Sequence, residues 1–298
     1  MTVATFQPTT HIRKVNIHED LLAVADLIEI CFASTLDDDG RDYLRQLRWT
    51  ARDASYLSWL QGAAERISMP LYGFVWEENG QIAGNLSLIP LYRRGKVFYL
   101  IANVAVHPDY RRRGIGRQLT QTALDHLRQR GIDSAWLQVR DDNPAAYDLY
   151  RSLGFTERAR RTTWLASTTP PYLLRHLTDG ITIHPRHSED WRQQSAWLRQ
   201  VYPSEVSWNL PLHPARFSPG LWNRILSFIR GEEQEHWTAR RGSDPIGFLT
   251  WEPLRTSTDL LWLAAPVQEE ELAILSLLPY AREALSYRRR PLSINYPA

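Results

Sequence analysis

The pattern of apolar and polar positions divides the chain into short strands and amphipathic helices. Residues 10–16 (THIRKVN) read as a first strand. From Glu19 to Ala33 apolar residues recur at helical spacing: Leu22, Val24, Ala25, Leu27, Ile28, Cys31 and Phe32. An acidic loop, Asp37-Asp38-Asp39-Gly40, follows, and a second helical region runs from Tyr43 to about Ile67. LYGFVWEE and IAGNLSLIPL flank Asn79-Gly80, a strong hairpin signal, because both central residues of such a turn need positive φ. A turn at Arg93-Arg94-Gly95 leads into a strand at 97–106, VFYLIANVAV. HPDYRRRGIG then opens a helix from Gly116 to about Arg130, which Gly131 ends. SAWLQV (134–139) is a strand. Asn143 caps a further helix whose first residue is Pro144; it carries Tyr147 and Tyr150 and ends at Gly154. Phe155 to Leu165 reads as a last strand of this half, and the element order is α/β.

Residues 166–180, with Ser167, Thr168, Thr169, Pro170, Pro171 and Gly180, have linker chemistry. The segment beyond repeats the first in outline. ITIHPRHSEDWRQQSAWLRQ resembles the opening strand and helix, and EHWTARRGSDPIGFLTWE resembles the hairpin. TDLLWLAAP (258–266) stands where VFYLIANVAV stood, followed by a helical run, EEELAILSLLPYAREAL, and a last strand, PLSIN. The expectation is a repeat of about 130 residues with a first domain at 1–168 and a second at 178–298.

The length of 298 residues is that of about two domains. A hydrophobic fraction of 43% and a charged fraction of 23% exclude a disordered or fibrous chain. No apolar run approaches the ~20 residues of a membrane-spanning helix, and the N-terminus lacks the apolar core of a signal peptide. Cys31 is the single cysteine, which excludes an intrachain disulfide and a cysteine-based zinc site, and no metal site is expected. These features fit a cytoplasmic protein. A formal charge of +2 argues against a nucleic-acid groove. Of the 35 basic residues only Lys14 and Lys96 are lysines.

Candidate chemistry lies in Arg111-Arg112-Arg113-Gly114-Ile115-Gly116-Arg117, between a strand and a helix. Two glycines let the backbone turn sharply and approach a ligand closely. The first amides of a helix have no intrahelical partner and lie at the positive end of its dipole, so the turn suits a pyrophosphate. The arginines add positive charge. Leu119 breaks the G-x-G-x-x-G dinucleotide pattern, and the Gly-Lys-Ser/Thr of a nucleotide P-loop is missing.

The run NVAVHPDYRRRGIGRQL, followed by LQVRDDNPAAYDLYRSLGF, resembles the two acetyl-CoA motifs of the GNAT N-acetyltransferase superfamily over residues of about 10–165. The resemblance implies tandem GNAT-like domains, each a mostly antiparallel mixed sheet flanked by helices, and acetyl-CoA as co-substrate. It implies that backbone amides of residues 112 to 117 hold the pyrophosphate and that Val104-Ala105-Val106 runs beside the pantetheine arm, a backbone amide there polarising the thioester carbonyl. Asn143 would contact the CoA arm as well as cap its helix. Tyr150 would protonate the leaving thiolate, Tyr147 being the alternative on nearly the same face.

Within the superfamily the N-terminal half is most similar to the branch that acetylates the N-terminal alanine of a ribosomal protein. That branch has a glutamate base in an L-E-V-R run, where this chain has Leu137-Gln138-Val139-Arg140. Gln138 cannot take a proton but can position a water or the acceptor amine. Asp37, Asp38 and Asp39 stand in the loop that covers the acceptor site in the family; they either attract a cationic amine or form a solvated cluster. Glu77 and Glu78 read as hairpin surface and His107 as structural. The expected reaction is direct attack by a small-molecule or peptide amine with a water-relayed proton, in a monomer or homodimer. The alternative is a non-catalytic acyl-CoA sensor or interaction module. In the second half Val267-Gln268-Glu269-Glu270-Glu271 replaces the glycine turn, and the chain reaches Tyr296-Pro297-Ala298 where a counterpart of Asn143-Pro144-Ala145 would begin. The second half is therefore expected to be degenerate and to bind no CoA.

Overall fold

The computed structural model describes residues 11–36, 38–61, 64–66, 68–93, 95–166, 180–203, 207, 210–220, 234–254 and 258–297. They form two compact units, Met1–Thr156 and Glu157–Ala298. No helix among the described residues is long and apolar enough to cross a membrane.

The first unit is a five-stranded sheet in the order β1-β2-β3-β4-β5. Its strands are β1 (Ile12–Lys14), β2 (Gly73–Glu78), β3 (Gln81–Arg93), β4 (Lys96–Val106) and β5 (Ala135–Leu137). Neighbours are antiparallel except β4 and β5, which run parallel. The hairpin turn is as the sequence predicts, with Asn79 at φ 53° and Gly80 at φ 74°. Helices α1 (Leu21–Phe32), α2 (Asp38–Arg52) and α3 (Ala54–Gln61) bury Leu21, Val24, Ile28, Leu44, Leu57 and Leu60 in one core cluster, which includes Val75 of β2. Helix α4 (Ile115–Gln129) presses Ile115, Leu119, Ala123 and Leu127 onto a second cluster with Phe74, Trp76, Leu86 and Leu88. The acidic run expected as a loop is in part the start of α2, since Asp38 is its first residue. Carboxylates favour that end of a helix.

The second unit is a six-stranded sheet in the order β6-β11-β10-β9-β8-β7. Its strands are β6 (Arg161–Ala166), β7 (Ile181–Pro185), β8 (Glu235–Arg241), β9 (Asp244–Glu252), β10 (Asp259–Ala264) and β11 (Leu292–Pro297). Helix α6 (Trp191–Val201) contributes Leu198 to a core cluster with Phe248 and Trp262. Helix α7 (Glu270–Ala284) packs Ala273, Leu277 and Ala281 against Ala239, Leu249 and Leu263. Tyr296 and Pro297 end strand β11.

One expectation is corrected here. The strand expected to close the first sheet belongs to the second. Strand β6 pairs antiparallel with β11, from Arg161 opposite Pro297 to Ala166 opposite Leu292. The first unit accordingly ends at Thr156, ahead of the expected 168. The expected linker, residues 167–179, lies outside the described residues.

The inferred repeat is visible in the register. In the first hairpin Trp76 faces Gly84, and the register shifts at the next residue. In the second, Ala239 faces Gly247 and the register again shifts at the next residue. Both glycines lie under the following helix. A Cβ on Gly84 would stand 2.9 Å from Ile115 Cγ2 and 3.0 Å from Leu119 Cδ1; one on Gly247 would stand 2.6 Å from Ala273 Cβ and 3.2 Å from Leu277 Cδ1. The missing side chain therefore lets each helix sit directly on its sheet.

Gly247→Ala should be the more damaging of the two alanine substitutions, because the Ala273 Cβ it meets cannot turn away whereas the ends of Ile115 and Leu119 can. We expect a loss of about 1–3 kcal/mol, read as a lowered denaturant midpoint, and a smaller loss for Gly84→Ala. Equal midpoints for both variants and the parent would contradict this packing.

Candidate functional site

Strands β4 and β5 pair only over Tyr99–Ile101 with Ala135–Leu137. Residues 102–106 of β4 continue beyond that pairing, still bonded to β3 on the other side. The edge they turn away from β3 is therefore a row of backbone donors and acceptors without a strand partner. Val104 and Val106 are half-buried and Ala105 is buried. The Val106 carbonyl accepts from Cys31 Sγ and from Arg111 Nε, each at 3.2 Å. Burial pushes the Cys31 thiol above its ordinary pKa.

After β4 a short 3-10 turn, Pro108–Tyr110, leads to the arginine-glycine segment. Arg112 takes φ 62° and Gly114 φ 77°, so the backbone reverses twice before α4 begins. A left-handed conformation is costly for a side-chain-bearing residue and free for glycine. The helix has no side-chain cap, and its first internal bond runs from the Gln118 amide to the Gly114 carbonyl. The Arg111 amide is used by the Pro108 carbonyl. None of the amides of residues 112 to 117 has an acceptor among the described residues. Six adjacent donors at the positive end of a four-turn helix make an anion cradle.

The arginines around it are not equivalent. Arg113 is held by both oxygens of Glu78, at 2.8 and 2.9 Å, and lies over the Tyr110 ring. The Arg113 guanidinium holds the Glu78 carboxyl below its ordinary pKa. Arg117 donates to Ser152 Oγ at 2.6 Å, and Arg111 is folded onto the Val106 carbonyl. Arg112 is exposed, and no described side chain bonds its guanidinium. An exposed, unengaged guanidinium can follow an arriving phosphate.

Helix α5 (Pro144–Ser152) comes to the same place. A Cβ on Gly116 would lie 3.6 Å from Leu149 of α5 and 3.8 Å from Val106 of β4. The end of β4, the first turn of α4 and the second half of α5 thus meet around Gly116. Asn143 is the N-cap of α5, its Oδ1 accepting from the Ala146 amide at 3.1 Å. Tyr150 is buried, edge-on to Phe155 at 5.8 Å between ring centres. Its hydroxyl has no hydrogen-bond partner among the described residues, and burial pushes its pKa up to about 12. Tyr147 is half-buried under the Arg151 guanidinium.

Gln138 is exposed, one residue past the end of β5, and no described residue bonds its side chain. Asp37 and the side chain of Asp39 lie outside the described residues; Asp38 pairs with Arg41 at 2.7 Å. His107 holds the Asp109 amide at 3.3 Å, a structural task.

A feature missed from the sequence lies on β4. Asn103 has φ 51°, and the register shifts around it from Asn85 opposite Ala105 to Ser87 opposite Ala102. It is a bulge with one extra residue on β4, and asparagine tolerates its left-handed conformation better than the flanking Ala102 and Val104 would. The only signal in the sequence is a polar residue inside an apolar strand.

In the second unit the equivalent turn is Val267–Glu269, and Glu270 and Glu271 fill the first turn of α7. Glu269 is bound by both terminal nitrogens of Arg241, at 3.0 and 3.1 Å. Carboxylates occupy the end where the first unit has free amides.

Residues 29–155 match the family model described as the Acetyltransferase (GNAT) family. Over 66 residues the chain is 47% identical to the ribosomal protein bS18-alanine N-acetyltransferase of Escherichia coli K12, covering 22% of this chain and 45% of that protein. Over 123 residues it is 38% identical to the mycothiol acetyltransferase of Thermobispora bispora, covering 39% of this chain and 38% of that protein. The chain spans less than half the length of either relative. A solved GCN5-related glucosamine N-acetyltransferase region of a fungal multi-domain beta-N-acetylglucosaminidase shares the fold. It is 12% identical, with a TM-score of 0.57 over 96% of this chain and 35% of that one.

Because burial disfavours the phenolate, Tyr150 should keep its proton from neutral pH until about 12, above the ordinary value of 10. An ultraviolet titration of the protein minus that of Tyr150→Phe should show phenolate appearing near the higher value. A step at the ordinary value would contradict the burial.

Proposed function

We propose that this chain, which belongs to the GNAT acetyltransferase family through residues 29–155, transfers the acetyl group of acetyl-CoA to a primary amine. The observation that carries the reading is the row of amides at residues 112 to 117, none with an acceptor among the described residues. A diphosphate offers the adjacent oxygens such a row requires. The fit extends beyond the turn. Gly116 leaves open the crevice between Val106 and Leu149, and the free edge of β4 can pair with the amide groups of a pantetheine arm.

In this reading the β4 edge orients the thioester, and a backbone amide near Val104–Val106 polarises its carbonyl. The acceptor enters as the free amine. Its nitrogen bonds to the carbonyl carbon, the carbon–sulfur bond breaks, and Tyr150 gives its proton to the departing thiolate. The amine loses one proton to water, and Tyr150 is reprotonated from solvent, so an amide and a free thiol are the products. A hydroxyl that stays protonated to about 12 is in the right state to act as the acid at neutral pH. Asn143 Nδ2 remains available for the CoA arm, since only its Oδ1 serves the helix cap. The acceptor is a small-molecule or peptide amine. The relatives named above act on a ribosomal protein's alanine and in mycothiol acetylation, and both acceptor classes suit the reading.

Gln138 supports a second reading, a non-catalytic acyl-CoA sensor, because no carboxylate stands at the position where the ribosomal-protein branch has its base. Loss of a base slows such a reaction by about 10²–10⁴ without abolishing it, so the enzyme reading leads. The second unit, with Glu269, Glu270 and Glu271 at its helix start, is taken to bind no CoA.

Calorimetry should find one equivalent of acetyl-CoA per chain, and Gly116→Val, which fills the crevice, should weaken that binding about tenfold or more. Tyr150→Phe should lower kcat by about 10²–10⁴ with the acetyl-CoA affinity kept. Two equivalents per chain would contradict the reading of the second unit. Acetyl-CoA binding without thiol release on any added amine would favour the sensor.

A further inference from the structure

On the sheet face turned away from α4, four polar side chains of the first unit meet at the β4 bulge. Asn85 Nδ2 donates to the Asn103 carbonyl at 2.9 Å, and Asn103 Nδ2 donates to the Tyr43 hydroxyl at 3.0 Å. Ser87 Oγ lies 3.4 Å from Asn85 Nδ2 and 3.5 Å from Asn103 Nδ2. Asn85 is 0% exposed, and its Oδ1 is buried without a partner among the described residues. Tyr43 and Asn103 are half-buried, and Asn85 and Ser87 are buried.

The second unit offers the same position in another form. With Gly84 aligned on Gly247, Asn85 corresponds to Phe248 and Ser87 to Thr250. The alignment holds across the sheet, since Asn85 faces Ala105 and Phe248 faces Ala264. There β9 pairs with β10 without a register shift; Phe248 and Trp262, 0% and 1% exposed, cover the position of Asn85, while Thr250, at that of Ser87, is bonded by Gln194 and by His236, each at 2.8 Å. At this one position the scaffold thus carries a ring in one unit and an amide, its acceptor atom unsatisfied among the described residues, in the other. A buried polar atom left unpaired destabilises the fold, and a ligand donor is what would satisfy it.

We propose that Tyr43, Asn85, Ser87 and Asn103 receive the acceptor, an amine that enters uncharged and carries hydroxyl or amide groups beside it. The inference rests on the acetyl-transfer reading of the α4 turn. Asn103 belongs to the stretch of β4 beyond its pairing with β5, so the cluster adjoins the strand edge assigned to the thioester. The lining is neutral: two amides, a serine hydroxyl and a phenol that burial keeps protonated to about 12. Without a carboxylate in the lining among the described residues, a polyammonium chain has nothing there to neutralise it, whereas hydroxyls and amides find matched donors and acceptors.

The test is thiol release from acetyl-CoA by the full chain with three probes: glucosamine, an alanyl dipeptide amide and spermidine. Glucosamine or the dipeptide should exceed spermidine at least about tenfold in kcat/KM, and which of the two leads identifies the source of the amine. Tyr43→Phe and Asn85→Leu should each raise the acceptor KM about tenfold, with the KM for acetyl-CoA unchanged. Tyr43→Phe removes one oxygen from a half-buried ring and tests the site even if Asn85→Leu does not fold. Preference for spermidine, failure of all three amines in a protein that binds acetyl-CoA, or a parallel rise in both KM values would overturn the inference. Absence of acetyl-CoA binding by calorimetry would instead remove the acetyl-transfer reading, and this inference with it.

Discussion

A helix that starts without a cap leaves its first amides to be satisfied by something other than the helix. In this protein that demand falls on residues 112 to 117, and the rest of the first unit brings the demand to a useful place. Gly84 lets α4 lie on β3, which fixes where the helix begins. The positive φ of Arg112 and Gly114 turns the amides outward from the preceding strand. The short pairing of β4 with β5 leaves the strand beside those amides with a free edge. An anion cradle of this kind depends on backbone geometry, so Arg113 and Arg117 can serve elsewhere. Arg113 is occupied by Glu78 and Arg117 by Ser152.

The two units show what that scaffold needs and what is added to it. Both keep a glycine on the second hairpin strand, a register shift opposite it and a helix pressed over it. They differ where chemistry would occur. Free amides at the start of α4 become Glu269–Glu271 at the start of α7, and the amide-lined bulge at Asn103 becomes a regular strand covered by Phe248 and Trp262. Closing a sheet face with large buried rings stabilises a domain by packing alone. A polar group buried there destabilises it unless a partner, from the protein or from a ligand, satisfies it.

Local signals carried much of the fold. Asn79-Gly80 defined its hairpin, Asn143-Pro144 the start of α5, and Gly114-Ile115-Gly116 the start of α4, because each is a backbone or capping requirement met within a few residues. Long-range choices were not legible. The pairing of β6 with β11 joins residues more than 120 positions apart, and nothing in the composition of Arg161–Ala166 says which sheet it enters. The glycine turn before α4 and the helix that carries Tyr150 were visible as a motif; the bulge was not, since it is a property of register between two strands. For the same reason Tyr43, Asn85 and Ser87, scattered over 45 residues of sequence, gave no sign of meeting at Asn103.

Hydrogen exchange at individual amides, with and without coenzyme A, addresses the central claim most directly. The amides of residues 112 to 117 should exchange fast in the free protein, as groups without acceptors do, and should become the most strongly slowed on addition of coenzyme A. Unchanged exchange there, with coenzyme A bound and protection appearing elsewhere, would contradict the assignment of the α4 turn.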